Sequence, residues 1–564
     1  MKLTILHFND VYHISDSELV AKFASVLEDP SHVTGRGLEK NEQILRVFSG
    51  DAFSPSLEAA VLRGDHMAPL LDSLDIDVAC YGNHDFDFGE GRLLELARQI
   101  RFPWTLANAV ATTDGDYDEP RLLAGAKEYV IKEIAGYRLG FFGLAGSDWP
   151  SNCQHLPECT ILDPASVAKR VARHLRLAEK CDIVIAVTHM RLVEDLEALR
   201  STLNGPGKVD LMLGGHDHHV VRRDPTDTNT NPEVIQSGLE RQALAMSECN
   251  GDIRVIKSGV DWRGLSIIQL ELGSKEKAEP PILGMSLHQI EDLKRIPNYS
   301  KIPTSQTTLD ILQTTHSKIE QVVTLPLLHT KAPLDGRMNI IRSQETNLGN
   351  MLADAVRAFY DTDIGLVNSG AVRCDRVVEC LSELPLCIRD VIEISPFDNA
   401  FVVKRVSGRV LAKALENSVS DAHTDGRFLQ LCGLSIVFDW RQPEGLRTSE
   451  ILFHDKIGNS EPLDLDRMYT VTMVDFIGSG YDGYTCFRDC ETLVDKEGAI
   501  TDTNMLLEIF KMGKTSDREL EQADQHAEGI QRARAAIIYG HHGEDGLPIV
   551  NPQTEGRIKI RGEK

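Results

Sequence analysis

Five short apolar runs in the first 220 residues each stop on a residue able to bind a metal ion or a phosphate. Residues 3–8 run into Asn9-Asp10, 44–48 into Ser49-Gly50-Asp51, and 78–81 into Gly82-Asn83-His84-Asp85. Residues 183–187 run into Thr188-His189, and 209–213 into Gly214-Gly215-His216-Asp217-His218. A short apolar run closed by turn residues predicts a buried strand. Ligands at successive strand ends then gather on one edge of a sheet, where open α/β folds place their chemistry. Five such ends point to a polynuclear metal site.

The chain has 564 residues, too many for one core, so at least two domains are expected. Residues 1–275 alternate strand-like runs with helical stretches at 165–180 and 192–203, an α/β pattern. Asp, Thr, Asn and Pro mark surface loops at 112–120 and 222–232. From 273 to 303 the composition turns to Lys, Glu and Pro, and helix-spaced apolar residues follow over 309–323. Residues 276–323 therefore read as a linker with a connecting helix. A second α/β segment follows over 324–512, with strand-like runs at 364–367, 401–403, 434–438 and 469–474. Residues 513–564 read as a C-terminal extension that opens on a helical pattern over 519–538. The extension also holds His541-His542, which could bind a metal but is expected to be an exposed, incidental pair.

Charge and cysteine content narrow the partners and the setting. A net charge of −25 opposes nucleic acid or an acidic membrane, but not a small anion drawn to a local metal cluster. No run reaches the ~18 apolar residues of a membrane span. Met1-Lys2 leads directly into a strand, which leaves no room for a secretory signal. The 11 cysteines show no paired framework, and Cys374, Cys380 and Cys387 match no zinc-finger spacing. Free thiols in a cytoplasmic protein are expected.

Asp, Asn and His suit zinc, manganese, cobalt or iron better than thiolate-loving ions. Two such ions roughly 3.5–4 Å apart can clamp a phosphoryl oxygen and acidify a bridging water. Asn9-Asp10, Gly50-Asp51, Gly82-Asn83-His84-Asp85-Phe86-Asp87, Thr188-His189 and Gly215-His216-Asp217-His218 together resemble the calcineurin-like metallophosphoesterases, and within them the 5′-nucleotidases. The resemblance implies a helix-flanked β-sandwich that holds two divalent ions. Asp51 would bridge them, Asp10 and His218 would serve the first, and Asn83, His189 and His216 the second. His84 would face the substrate phosphate and Asp87 would orient it, while Asp85 and Asp217 are structural loop residues.

One position departs from the family pattern. Most members have a metal-binding histidine two residues after the first aspartate, where this chain has Tyr12 in Asp10-Val11-Tyr12-His13. Tyr12 itself, His13 from the next position, or a water can fill the slot. A neutral phenol is a poor ligand, and His13 would face the opposite side of a continuing strand. A weakened first site with water in the gap is therefore expected.

The second half resembles the 5′-nucleotidase substrate-binding domain, an α/β unit. Arg342 before Glu345-Thr346-Asn347-Leu348-Gly349-Asn350, and Asn368-Ser369-Gly370-Ala371-Val372-Arg373, match the family's phosphate-contacting motifs. That match implies Arg342, Asn368 and Arg373 at the substrate, while Arg337 nearby falls out of register. Phe397 in Ser395-Pro396-Phe397-Asp398-Asn399, and Phe476 before Ser479-Gly480-Tyr481-Asp482, fall where the family sandwiches a nucleobase. Asn399 would meet the base edge and Asp482 the ribose.

The expected activity is metal-dependent hydrolysis of a nucleotide phosphate ester, with a small-molecule nucleotide as substrate. In the family the substrate domain swings, so residues 273–323 would serve as hinge. The alternatives are a metallophosphoesterase acting on a nucleotide sugar, dinucleotide or cyclic nucleotide, and a catalytically impaired nucleotide-binding protein.

Overall fold

The computed structural model describes all residues except 1, 36, 38–41, 113–120, 135, 154, 226, 233–246, 249–252, 278, 380–383, 398, 497, 512–524 and 563–564. In it the five apolar runs become β1 (Lys2–Phe8), β2 (Gln43–Phe48), β3 (Val78–Cys80), β4 (Ile183–His189) and β5 (Leu211–Gly214). Parallel pairing joins β1 to β2, β2 to β3 and β4 to β5. Strands buried on both faces read as continuous apolar runs, which is why these five stand out in the sequence.

The five strands divide between two sheets. β1, β2 and β3 neighbour one another in a seven-stranded sheet, whereas β4 and β5 lie in a six-stranded one. The expectation of a single sheet edge is corrected accordingly, because alternation of strands and helices does not reveal where one sheet ends and another begins. Leu3, Ile5, Phe48 and Val78 of the first sheet share one buried cluster with Leu139, Ile183, Ile185 and Leu213 of the second, so the core lies between the sheets. Ser49 Oγ donates to the Leu213 carbonyl at 2.7 Å, joining the two sheets at the strand ends.

Helices cover the other face of the six-stranded sheet. α1 (Pro164–Leu177) starts on Asp163, whose side chain accepts from the Ser166 N–H, with proline in the first helical position. With α2 (Leu192–Ser201) it sets Val167, Val171, Leu175, Leu196 and Leu199 against Phe142, Val184, Ala186 and Met212. Burying each large aliphatic contributes about 1.5–3 kcal/mol. The unit is an α/β sandwich with helices outside.

The chain divides into two units, residues 1–319 and 320–564. Two of the sequence boundaries change here. The stretch 276–323 is mostly not a linker, because Ile282–Ile290 pairs antiparallel with Leu265–Leu272 inside the seven-stranded sheet. Lys275, Glu276, Lys277, Glu279, Pro280 and Pro281 lie in the connection between those two strands. Only the helix Gln306–Val323 spans the division. In the supposed loop at 222–232, Arg222 and Arg223 end the strand Val220–Arg223 and are buried. Of the loop expected at 112–120, residues 113–120 lie outside the described residues.

The second unit is built on a five-stranded sheet that runs Leu429–Cys432, β7 (Ile364–Asn368), Met468–Val474, Phe401–Ser407 and Glu491–Val494. A smaller sheet holds β6 (Pro326–Thr330). α3 (Asn347–Phe359) is capped by Thr346 Oγ1, which accepts from the Gly349 N–H at 3.0 Å. The C-terminal residues are not an appendage. α4 (Gln525–Ile537) sits on α3, where Arg532 donates to the carbonyls of Ala358 and Phe359 at 3.1 and 2.8 Å. The hairpin of β8 (Ile538–His541) and β9 (Pro548–Val550) then joins β6 in parallel, and Ile558–Arg561 adds to Leu434–Asp439. These strands are short, and Ile538–His541 and Ile558–Arg561 are largely exposed, so they carry little apolar signal.

Among the described residues no helix is long and apolar enough to cross a membrane. All nine described cysteines are free thiols. Cys387 caps the helix Ile388–Ile394 together with Asp390, and Cys380 lies outside the described residues.

Candidate metal centre

Strand ends bring the predicted ligands together, and the turns that follow aim them. Asp10, Asp51, His216 and His218 all have left-handed backbone, at φ of 54°, 61°, 79° and 60°. Each such residue costs of order 1 kcal/mol or more, and strain of this kind persists where surrounding contacts over-determine it. Those contacts are present. The Asp10 N–H donates to the Gly50 carbonyl at 3.0 Å and Val11 N–H to that of Asp51 at 2.9 Å, tying the first two loops together. Gly82 allows the third loop to approach, since a Cβ there would lie 2.0 Å from Asp51 Oδ1. Gly215 does the same for the fifth, where a Cβ would meet Asp10 Oδ2 at 2.8 Å.

Asp10 and Asp51 are fully buried, and His189 Nε2 points at both, 3.1 Å from Asp51 Oδ2 and 3.9 Å from Asp10 Oδ1. His218 Nε2 lies 3.3 Å from Asp10 Oδ1. Asn83 turns its amide oxygen toward His216 Nδ1 at 3.1 Å, its nitrogen being held by the Asn152 carbonyl at 2.6 Å. The rings of His189 and His216 are 5.2 Å apart. All six predicted ligands therefore stand in one cluster, with Asp51 facing both subsets.

The donor set fits a divalent ion. His189 Nε2 is buried without a hydrogen-bond partner of acceptable geometry, beside two buried carboxylates. Its other nitrogen donates to the Ser49 carbonyl at 2.7 Å, which fixes the tautomer that leaves Nε2 as a ligand. Burial disfavours a charged imidazole, yet Asp51 and Asp10 outweigh it and push the His189 pKa up to about 9. A proton on His189 thus supplies positive charge that a bound cation would otherwise supply.

Tyr12 fills the departed position. Its phenol is buried and bonds to Asp10 Oδ1 at 3.0 Å, Asp51 Oδ2 at 3.1 Å and His218 Nε2 at 2.9 Å. The phenol oxygen thus reaches into the slot, because the ring extends farther than an imidazole. His13 does not substitute. It is half-exposed, and its Nδ1 is held by Asp261 at 3.0 Å.

His84 stands beside the cluster, with Nδ1 2.8 Å from Asp87 Oδ2, and Asp87 also accepts from Ser54 Oγ at 2.8 Å. The His84 N–H donates to Asp51 Oδ1 at 2.9 Å, so the residue is tied to the Asp51 carboxylate. Asp85 accepts from the N–H groups of Gly82, Asp51 and Ala52 at 2.8, 3.1 and 2.9 Å, which locks the second loop to the third.

Several supporting residues escaped the sequence reading. Asp148 lies 3.1 Å from His216 Nε2 and accepts from Arg191 at 2.6 Å. Burial opposes its ionisation, but His216 and Arg191 outweigh this and hold its pKa near 2. Lys257 is buried, donates to the Met190 and Gly215 carbonyls at 2.7 and 2.8 Å, and pairs with Asp195 and Asp217. Asp195 in turn accepts from Thr188 Oγ1 at 2.6 Å. One buried ammonium thus pins the loops that carry His189, His216 and His218. No local pattern marks these residues, since each partner is distant in sequence.

In the second unit the predicted substrate residues form a more open group. Arg342 donates to the Thr424 carbonyl at 2.8 Å, and its buried Nε has no partner. Asn368 is buried at the end of β7, with Oδ1 likewise unpartnered. The Arg373 guanidinium lies over the Phe397 ring at 4.8 Å. Asp482 is partly buried, which raises its pKa along with the Asp425 charge, while Arg427, Arg342 and Arg373 act against that rise, so these charges share one neighbourhood. Phe397 and Phe476 are 52% and 40% exposed, and Phe476 stacks on Tyr481 at 4.9 Å, an aromatic partner the sequence reading did not assign. Asn399 is occupied by Asp502, to which its backbone and side chain donate at 3.0 and 3.2 Å. Arg337 pairs with Asp335 on the surface.

A helix-flanked double sheet with an Asp/Asn/His cluster at its strand ends is the arrangement that the resemblance to calcineurin-like metallophosphoesterases implies. Comparison with known proteins agrees and extends the likeness to the second unit. The family model of the 5′-nucleotidase C-terminal domain matches residues 326–489. A 5′-nucleotidase of Vibrio cholerae is 23% identical over 88% of this chain and 90% of its own, and that of Bos taurus is 24% identical over 86% and 85%. The trifunctional nucleotide phosphoesterase protein YfkN of Bacillus subtilis is 24% identical over 86% of this chain, which spans only 32% of YfkN. Among solved structures, NAD nucleotidase of Haemophilus influenzae shares the fold, with a TM-score of 0.65 and 15% identity over the full length of both chains. The chain is thus similar to 5′-nucleotidases along most of its length, and its residues 326–489 match their C-terminal domain.

Proposed function

We propose that the protein hydrolyses the phosphate ester of a nucleotide, releasing nucleoside and inorganic phosphate. The observation that carries this reading is the cluster of Asp10, Asp51 and His189, whose ligand atoms lie within 4.8 Å of one another, with the His84–Asp87 pair beside it. Asp10, Asp51, His218 and Tyr12 would hold the first ion, and Asp51, Asn83, His189 and His216 the second. Zinc, manganese, cobalt or iron in these places supplies Lewis acidity and a water made acidic enough to attack phosphorus. Asp87 holds the His84 ring in one orientation, so that the imidazole can stabilise charge growing on the phosphoryl oxygens. Arg342 and Arg373 supply planar donors for phosphate, and Phe397 and Phe476 supply faces for the base. The free cysteines support a reducing, cytoplasmic setting.

Phosphate release should be measured across mono-, di- and cyclic nucleotides with manganese, zinc or cobalt. His84→Ala is expected to lower kcat about 10²–10³-fold while nucleotide binding stays within about twofold of the parent. A parent that binds nucleotide but releases no phosphate with any metal would replace this reading with that of a binding protein.

A further inference from the structure

We infer that the second unit holds a separate metal site, formed by His329, His542 and Asp545 and suited to zinc or a similar divalent ion. Topology brings the three together. β6 lies parallel to β9, with His329 opposite Ile549, which sets His329 beside the turn between β8 and β9. His542 and Asp545 both sit on that turn, which is closed by bonds from His542 N–H to the Leu547 carbonyl at 2.8 Å and from Gly546 N–H to the His542 carbonyl at 3.0 Å. The pair meets a histidine more than 200 residues away, 216 positions before Asp545.

The geometry converges on the Asp545 carboxylate. His329 Nε2 lies 2.8 Å from Asp545 Oδ2, and His542 Nδ1 lies 3.0 Å from Asp545 Oδ1. The two imidazole rings are 4.2 Å apart and inclined by 33°. The three ligand atoms lie within 4.8 Å of one another. Bonds of about 2.0–2.2 Å to nitrogen and carboxylate oxygen would be reached by small side-chain rotations. Two imidazoles and one carboxylate are a zinc-type donor set that leaves a fourth position for water.

Exposure also suits an ion. The His329 side chain is 8% exposed, whereas His542 and Asp545 are 31% and 40% exposed, so an interior ligand is backed by two at an open mouth. Shaping the turn requires only Asp545, which accepts the Leu547 N–H at 3.0 Å. It does not require two imidazoles brought together over the same carboxylate. Of the pair His541-His542, only His542 turns inward, and His541 stays exposed on β8. An ion here would clip the C-terminal hairpin to β6 and stabilise the native state by binding it selectively.

The test is zinc uptake by the full-length, metal-stripped chain, counted by elemental analysis after removal of excess ion, together with thermal melting. The parent is expected to keep one zinc more than either His542→Ala or Asp545→Asn, and to gain more in Tm on adding zinc. Asp51→Asn, which acts in the first unit, should keep this zinc whatever happens at the other centre. His542 and Asp545 are 31% and 40% exposed, and melting of each variant without zinc at the parent's Tm shows that the fold is kept. If His542→Ala and Asp545→Asn hold as much zinc as the parent, Asp545 is merely a shared hydrogen-bond acceptor and the inference fails.

Discussion

The ligand cluster of the first unit and the arginine–aromatic group of the second are built on opposite principles. In the first, every predicted ligand except His218 is nearly or fully buried, four carry left-handed backbone, and each is held by a neighbour from another loop. In the second, Phe397 and Phe476 face solvent and Arg373 rests on an aromatic face. The difference matches what the two proposed ligands would require. A small cation needs donors positioned to tenths of an ångström in a low dielectric, whereas a flat, polarisable base needs accessible faces and tolerates looser placement.

The sharpest way to break this contrast is to loosen the rigid side. Lys257→Met leaves Asp195 and Asp217 without their buried cation, and should cost about 3–5 kcal/mol of stability. Urea unfolding measures that loss, and metal uptake should fall with it. An unchanged midpoint would mean that Lys257 does not pin the loops.

On the open side, Phe397→Ala and Phe476→Ala should each weaken nucleotide binding by about 1–3 kcal/mol with no comparable loss of stability. Steady-state kinetics on nucleotides and on a simple aryl phosphate separate the roles, because only the nucleotide KM should rise. Equal effects on both substrates would remove the stacking role.

Tyr12 tests the rigid side more gently. Tyr12→Phe removes one oxygen from the group of Asp10, Asp51 and His218, and should weaken one of two manganese sites about 10-fold, leaving the other unchanged. Tyr12→His should tighten it. Calorimetric titration reads both, and a Tyr12→Phe isotherm matching the parent would reduce the phenol to a packing role.

The smallest expected effect is an acid dependence in the second unit. Burial opposes the Asp390 charge, but bonds from Cys387 and the Arg376 guanidinium outweigh it and hold the carboxyl below its ordinary range. The folded pKa is depressed, so this contribution is present above the unfolded value near 4 and is lost as pH falls through and below it. Asp390→Asn should flatten the fall in denaturation midpoint between pH 5 and 3, and a parallel fall in both proteins would deny the contribution.

Much of the first unit was legible because its strands are buried on both faces, and a continuous apolar run that stops on Asp10, Asp51 or His189 is a local signal. The second unit was less so. Ile538–His541 and Ile558–Arg561 are half-exposed, and Pro548–Val550 and Ile558–Arg561 take their places in sheets against strands more than 100 residues away. The same limit hid Lys257 and Asp148, which are ordinary charged residues until the fold buries them beside His189 and His216. It also made 276–303 read as a linker, since Lys, Glu and Pro in a strand connection look the same as in a tether.

The sequence by itself determined the chemistry of the first unit: which residue types lie at strand ends, in what order, and with which glycines to let them meet. That information is local, because strand periodicity and turn residues act over a few positions. Only the tertiary structure decided that two sheets share the task, that the Tyr12 phenol enters the cluster, and that His329 meets His542 and Asp545. Those outcomes depend on which surfaces pack together, and packing joins residues that no sequence spacing relates.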